Sequence, residues 1–272
     1  MLLPFEGLAH PLVIAHRGSE VLAPENTVYA FDLAVEAGAD VLEMDVRPSA
    51  DGAIMVIHDE TVDRTSNGEG AVRGMTRKEL SKLDFAWHFR LDGVAGFPLR
   101  DQGIGIATLP EVLKRYPSQH FSVDVKEDDP EFVGEVVKAV LKADARDRVV
   151  LASFHRRISH LLRDTVPPVH TAADQREGIE LLAASLIGIP QRRGALPSAY
   201  MLPLAIGAIP LPVGRVIRTI HALGRRGYFW TIDDEATMHR LLARGADGII
   251  TNRVDLLYAA RATRGYPGAP PR

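Results

Sequence analysis

Short apolar runs alternate with amphipathic stretches along most of this 272-residue chain, and that alternation constrains its fold more than any other feature. The runs are LVIA (12–15), DVLEMDV (40–46), AIMVIH (53–58), HFSVDV (120–125), RVVLAS (148–153), PVHTA (168–172), SAYML (198–202), YFWTI (228–232) and DGIIT (247–251). Continuous β-rich runs of this kind read as strands buried on both faces. Between several of them the spacing predicts helices over 25–37, 131–141, 177–186, 216–223 and 235–244, the first and last stopped by Gly38 and Gly245. Buried strands separated by helices imply a parallel sheet. About eight such units in a chain of barrel length point to an α/β fold, a (β/α)8 TIM barrel, with a doubly wound open sheet as the alternative. No G-x-G-x-x-G follows the first run, which argues against a dinucleotide site.

Composition closes off other classes. With 46% hydrophobic and 25% charged residues, the chain is neither disordered nor a coiled coil. It has no cysteine, so disulfides, thiolate metal sites and a cysteine nucleophile are excluded. A net charge of −3 argues against nucleic acid as a partner. No run approaches the roughly 18 apolar residues of a transmembrane segment. The most apolar stretch, YMLPLAIGAIPLPV (200–213), is broken by prolines. It reads as a packed strand and loop, or as a lip for peripheral membrane contact. The first residues lack the basic start of a signal peptide, so a cytoplasmic location is expected. Residues 59–105 break the rhythm with a polar, glycine-rich loop (DRTSNGEGAVRG), a short helical pattern (TRKELSKL, 76–83) and a second glycine-rich loop. They read as an insertion on the C-terminal face of a single domain spanning 1–272. The tail after Tyr266 (PGAPPR) is expected to fray.

Four polar clusters fall where strands should end. They are His16-Arg17 after LVIA, Glu43-x-Asp45, His58-Asp59 after AIMVI, and Asp124-x-Lys126. Residues i and i+2 of a strand share a face, so Glu43 pairs with Asp45 and Asp124 with Lys126 at the barrel mouth. A lone carboxylate or histidine on a strand is ordinarily a paired or solvated residue. Four clusters at the same end of successive strands are not. Three converging carboxylates repel unless a cation or a proton lies between them. An oxygen-only set suits a hard divalent ion, Mg²⁺ or Ca²⁺, bound by Glu43, Asp45 and Asp124. Arg17 and Lys126 beside it suit an anionic small-molecule substrate, above all a phosphate. His16 and His58 can supply a general base and a general acid near neutral pH. Of the other histidines, His155 in SFH (153–155) is the next candidate.

The ordered set of these motifs resembles the glycerophosphodiester phosphodiesterase family. Residues 15–70 carry HRG, PENT, E-x-D, D-G, HD and an R-T-x-N-G loop in order. IATLPEVLKRYP (106–117), FSVDVK (121–126), ASF (152–154) and FWTIDDEATMHRLLARGADGIIT (229–251) extend the likeness over most of the chain. The resemblance implies a TIM barrel with an insertion after the second barrel strand, and metal-dependent hydrolysis of a glycerophosphodiester to an alcohol and glycerol 3-phosphate. It places the metal on Glu43 and Asp45, acid–base chemistry on His16 and His58, and phosphate contacts on Arg17 and Lys126. Trp230 takes the place of the tryptophan that walls the pocket for the glycerol or the leaving group. There are departures. Asp124 stands where the family usually has Glu, a change shared with the related sphingomyelinase D branch. Asn252 stands where it often has Asp, which is expected to affect the loop more than the chemistry. Residues 188–214 fit the pattern least.

Three alternatives follow. A lysophospholipase D or sphingomyelinase-D-like enzyme would use the same barrel on a lipid, with 200–213 as an acyl-binding lip. A catalytically inactive binding barrel would tend to lose a histidine or a carboxylate, and none is lost. A sugar-phosphate isomerase or aldolase would draw on GADGIIT (245–251), but it leaves the early-strand clusters unexplained.

Overall fold

The computed structural model describes residues 3–187, 196–207 and 209–266. The strands are β1 (Leu12–Ala15), β2 (Val41–Pro48), β3 (Ile54–Val56), β4 (His120–Val125), β5 (Val149–Ala152), β6 (His170–Thr171), β7 (Ala199–Leu202), β8 (Ala205–Ile206), β9 (Ile209–Pro210), β10 (Arg226–Phe229) and β11 (Gly248–Thr251). The helices are α1 (Val28–Glu36), α2 (Arg77–Leu80), α3 (Leu109–Arg115), α4 (Pro130–Lys142), α5 (Arg156–Arg163), α6 (Gln175–Ile187), α7 (Val213–Ala222), α8 (Glu235–Ala243) and α9 (Val254–Ala262).

One sheet runs β6-β5-β4-β2-β1-β11-β10-β7, with every neighbouring pair parallel. Its ends meet through a parallel bridge between Ala172 and Ala199, reinforced by Ala173 N–H donating to Ala199 O at 2.9 Å. The result is a nearly closed parallel barrel ringed by helices, a TIM barrel. The expected run AIMVIH is the exception to the parallel pattern. Its strand β3 pairs antiparallel with β2, Val46 opposite Val56, so it forms a hairpin on the barrel and not a stave of it. Gly52, at φ +78 in the short connection, allows the tight reversal that a helical crossover would not.

Alternation along β2 and β4 sorts the side chains. Leu42, Met44 and Val46, with Phe121, Val123 and Val125, point outward into the shell between sheet and helices. Val41 turns inward to a smaller core with Phe5, Ile14, Tyr228 and Ile250 that fills the barrel. Glu43, Asp45, Ser122 and Asp124 also turn inward, one layer higher. Residues 59–105 have their own small core of Val62, Val72, Leu80 and Phe85, packed on Met55 and Ile57 of the hairpin. Helix α2 there opens with a capping box between Thr76 and Glu79.

The expected helices form with shifted ends. Helix α1 starts at Val28 and not near 25, because Asn26 is left-handed at φ 58 and Thr27 caps the helix by accepting from Ala30 N at 3.1 Å. Helices α3, α5 and α9 were not among those expected from spacing. They are short, at 7, 8 and 9 residues, and length alone does not set them apart, since α1 and α8 are also 9 residues long. No helix of the described residues is long and apolar enough to cross a membrane. The tail expected to fray, 267–272, lies outside the described residues, as do 188–195 and residue 208 of the poorly fitting segment.

Candidate active site

His16, Arg17, Glu43, Asp45, His58, Asp124, Lys126 and Trp230 all line one cavity of about 440 Å³ at the C-terminal ends of the strands, while Asp59 of the third cluster sits behind His58. The register explains the convergence. Asp45 lies directly opposite Asp124 across β2 and β4, and Glu43 opposite Ser122. After β1 the chain makes a 3-10 turn, His16–Gly18, with Arg17 in the left-handed region at φ 48. Gly18 continues the turn at φ +79, and a Cβ there would stand 2.8 Å from the Cβ of Ala30. Only glycine fits under α1, so the turn is held tight and both His16 and Arg17 reach the mouth.

The charges interlock. The Lys126 ammonium bridges Asp45 at 2.8 Å and Asp124 at 2.6 Å. Arg17 lies 3.2 Å from Asp45 and 3.0 Å from Glu25, and its backbone N–H donates to Glu43 at 2.9 Å. Asn26 and Asp45 exchange two hydrogen bonds, so the PENT segment braces the E-x-D strand. Burial, with Asp45 adjacent, pushes the Glu43 carboxyl up to about 7. Burial would raise Asp45 too, but Lys126 and Arg17 outweigh it and hold that carboxyl below its usual range. Burial raises Asp124, with Lys126 only partly offsetting it.

Among the described residues, no three carboxylate or histidine groups are spaced as a metal cluster; Lys126 stands between Asp45 and Asp124. The donor chemistry nonetheless fits a hard ion. The donors are all oxygen, and Asp124 Oδ1 is buried without a hydrogen-bond partner.

Each histidine is tied at Nδ1. His58 Nδ1 lies 2.7 Å from Asp59 Oδ1, and His16 Nδ1 lies 2.8 Å from Asn252 Oδ1. Asp59 also accepts from Arg64 Nε at 2.6 Å, and Arg64 forks onto Glu25 at 2.6 and 2.8 Å. Burial alone would raise Asp59, but the hydrogen bonds from Arg64 and His58 carry it down to about 2. Arg47 donates to the carbonyl of His58 at 2.7 Å and pairs with Glu127, which does not line the cavity. His155 turns to the Lys126 carbonyl at 3.1 Å and does not line the cavity.

The expectation for Asn252 is corrected: its side chain bonds the ring of His16 and does not merely shape a loop. In the sequence, Glu25 and Arg64 stand out only as members of the PENT and R-T-x-N-G motifs, with no role of their own, and Arg47 carries no signal. Asn252 is placed by the register of β1 and β11, which the sequence alone does not give: Thr251 pairs with Ala15, so the next residues on the two strands are neighbours. Phe154 was missed as well. It is 61% exposed, packs edge-to-face on Trp230 at 6.2 Å and lies 5.6 Å from the Lys126 ammonium. With Met201, Leu202, Pro203 and Ile206 it makes the opposite wall of the cavity apolar.

The sequence profile of the glycerophosphoryl diester phosphodiesterase family matches residues 16–256. The chain belongs to this family of phosphoric diester hydrolases. A glycerophosphodiester phosphodiesterase of Caldanaerobacter subterraneus subsp. tengcongensis is 35% identical over 254 residues, covering 90% of this chain and 96% of the relative. The crystal structure of a glycerophosphodiester phosphodiesterase from Agrobacterium tumefaciens matches with a TM-score of 0.72 at 26% identity, covering 92% of this chain and 98% of that one. A phosphodiesterase of Oleispira antarctica, solved in complex with the product sn-glycerol-3-phosphate, shares the fold with a TM-score of 0.74 at 22% identity, covering 93% and 97%. Glycerophosphodiester phosphodiesterase activity is what this membership supports.

Proposed function

We propose that the cavity hydrolyses glycerophosphodiesters to an alcohol and glycerol 3-phosphate, with His16 as base and His58 as acid. The observation that carries this reading is the pair of cavity histidines, each tied at Nδ1, beside Arg17 and Lys126. Arg17 and Lys126 would hold the phosphate oxygens. His16 takes a proton from the attacking oxygen, that of water or of the neighbouring glycerol hydroxyl whose cyclic phosphate water then opens, as that oxygen's bond to phosphorus forms. His58 protonates the alcohol oxygen as its bond to phosphorus breaks. The assignment follows the directly bonded partner: Asp59 sets a carboxylate 2.7 Å from the ring a proton donor starts with, whereas the group bonded to His16 is the Asn252 amide, with the Glu20 carboxylate farther off at 3.9 Å. Glu43, Asp45 and Asp124 would hold a divalent ion, Mg²⁺ or Ca²⁺, which when bound neutralises phosphate charge and polarises its oxygens. The glycerol 3-phosphate bound by the Oleispira antarctica enzyme is the product expected here. Residues 1–272 are read as one barrel unit, with 59–105 inserted in it.

A second reading rests on the apolar wall. A lysophospholipid, with an acyl chain along Phe154, Leu202 and Ile206, would use the same chemistry. The β8–β9 hairpin, with Ile209 63% exposed, would then be the point of peripheral membrane contact. Two measurements test these readings. Turnover of glycerophosphocholine above that of lysophosphatidylcholine supports the first, and the reverse order supports the second. Chelation by EDTA should abolish turnover, and Mg²⁺ or Ca²⁺ should restore it. Unchanged activity after full chelation would remove the ion from the mechanism.

A further inference from the structure

We infer that Asn252 is the positioning residue for His16, fixing its ring in the Nδ1–H tautomer so that Nε2 is the nitrogen left to take a proton. The inference rests on the reading of His16 as a proton-transfer group and adds what orients it. Residue 252 follows β11 directly, and the pairing of Thr251 with Ala15 sets it beside the first residue after β1, His16. It is buried, 5% exposed.

The orientation of its amide follows from its partners. Asn252 Nδ2 lies 3.0 Å from Asp233 Oδ2 and 3.2 Å from Glu20 Oε1. Carboxylate oxygens accept, so the amide nitrogen must face them. The amide oxygen is thereby turned to His16 Nδ1 at 2.8 Å. A carbonyl oxygen also only accepts, so Nδ1 must carry the hydrogen. In the neutral ring the lone pair then sits on Nε2. Asp233 is itself anchored, its Oδ1 accepting from Asn252 N–H at 2.8 Å and from the Thr251 hydroxyl at 3.1 Å. Two carboxylates therefore orient one amide, and the amide orients the histidine. A carboxylate at 252 would still accept from the ring, but it would stand against Asp233 and Glu20 with no hydrogen to give them.

The test reads the ring and the rate separately. In the full-length protein with labelled histidine, NMR of the ring carbons and nitrogens should show His16 as the Nδ1–H tautomer. Asn252→Ala should let the Nε2–H form appear. It should lower kcat by about 100-fold with KM within about twofold, because a mis-set ring forfeits proton transfer and not binding. A purely structural role would lower stability in Asn252→Ala without changing which ring nitrogen carries the proton in the folded protein. The inference is overturned by an Nε2–H ring in the wild type, by an unchanged tautomer in Asn252→Ala, or by wild-type kcat in that variant. Full activity in His16→Ala would instead sink the proton-transfer reading, while the tautomer measured in the wild type still decides what Asn252 does.

Discussion

The cavity mouth has two unlike halves. The half built by β1, β2, β4 and the β3 hairpin carries His16, Arg17, Glu43, Asp45, His58, Asp124 and Lys126. The half built beyond β5, β7 and β10 is walled by Phe154, Met201, Leu202, Pro203, Ile206 and Trp230. In the first half nearly every polar atom is held by another, and the links run outward through Asn26, Asp59, Arg64 and Asn252. The second half offers surface and few directed bonds. The difference separates chemistry from selection. Groups that move protons and balance phosphate charge need fixed geometry. A wall that accepts the rest of the substrate needs shape and area.

The largest effects should come from the charged half. His16→Ala or His58→Ala should each lower kcat by about 10² to 10⁴ with the circular dichroism spectrum and melting unchanged, since neither ring belongs to the packed core. Wild-type turnover in either variant would break the division of labour. Next comes the link through residues 59–105. Arg64 is half exposed, yet it joins Asp59 behind His58 to Glu25 behind Arg17. Arg64→Ala should cost on the order of tenfold in kcat, less than losing a histidine because Asp59 keeps its own bond to the ring. A loss confined to KM would show that Arg64 serves binding and not positioning.

The apolar half should respond differently. Phe154→Ala removes an exposed ring that packs edge-to-face on Trp230 and lies over the Lys126 ammonium. It should raise KM by roughly tenfold for diesters with a bulky or apolar alcohol, change kcat little, and leave small-alcohol diesters nearly unaffected. A kcat loss equal for all substrates would place Phe154 with the chemical half.

The two halves were unequally legible in the sequence. Strand alternation and the i, i+2 rule were enough to gather Glu43, Asp45, Asp124 and Lys126, because both depend on local geometry. Asn252 and Arg64 could not be reached that way. The first meets His16 from 236 positions away and the second meets Glu25 from 39 away. The first contact depends on the register of β1 against β11 across the barrel, and the second on how a loop packs after the barrel closes. The β3 hairpin misled for the same reason: an apolar run reads alike whether its partner is parallel or antiparallel. Phe154 escaped because an exposed aromatic after a strand has no periodic signature, and only the neighbouring Trp230 gives it a role.

The smallest effect tests whether the links behind the charged half also hold the fold. Asp59 titrates near 2 in the folded chain, well below its usual 3.8, because Arg64 and His58 bond it more strongly than burial opposes it. A carboxyl lowered in this way adds stability that is full above its unfolded value and is lost as pH falls toward the folded one. Asp59→Asn lacks that contribution at every pH. The melting temperature of the wild type should therefore exceed that of the variant by a constant gap between pH 5 and 7. Below about pH 4 the gap should narrow, because the wild type begins to protonate the same carboxyl. The group is partly exposed, so screening keeps the gap to the order of 1–2 °C. A gap that stays constant down to pH 3 would mean that Asp59 stabilises through its shape and not its charge. The links behind the charged half would then serve geometry alone.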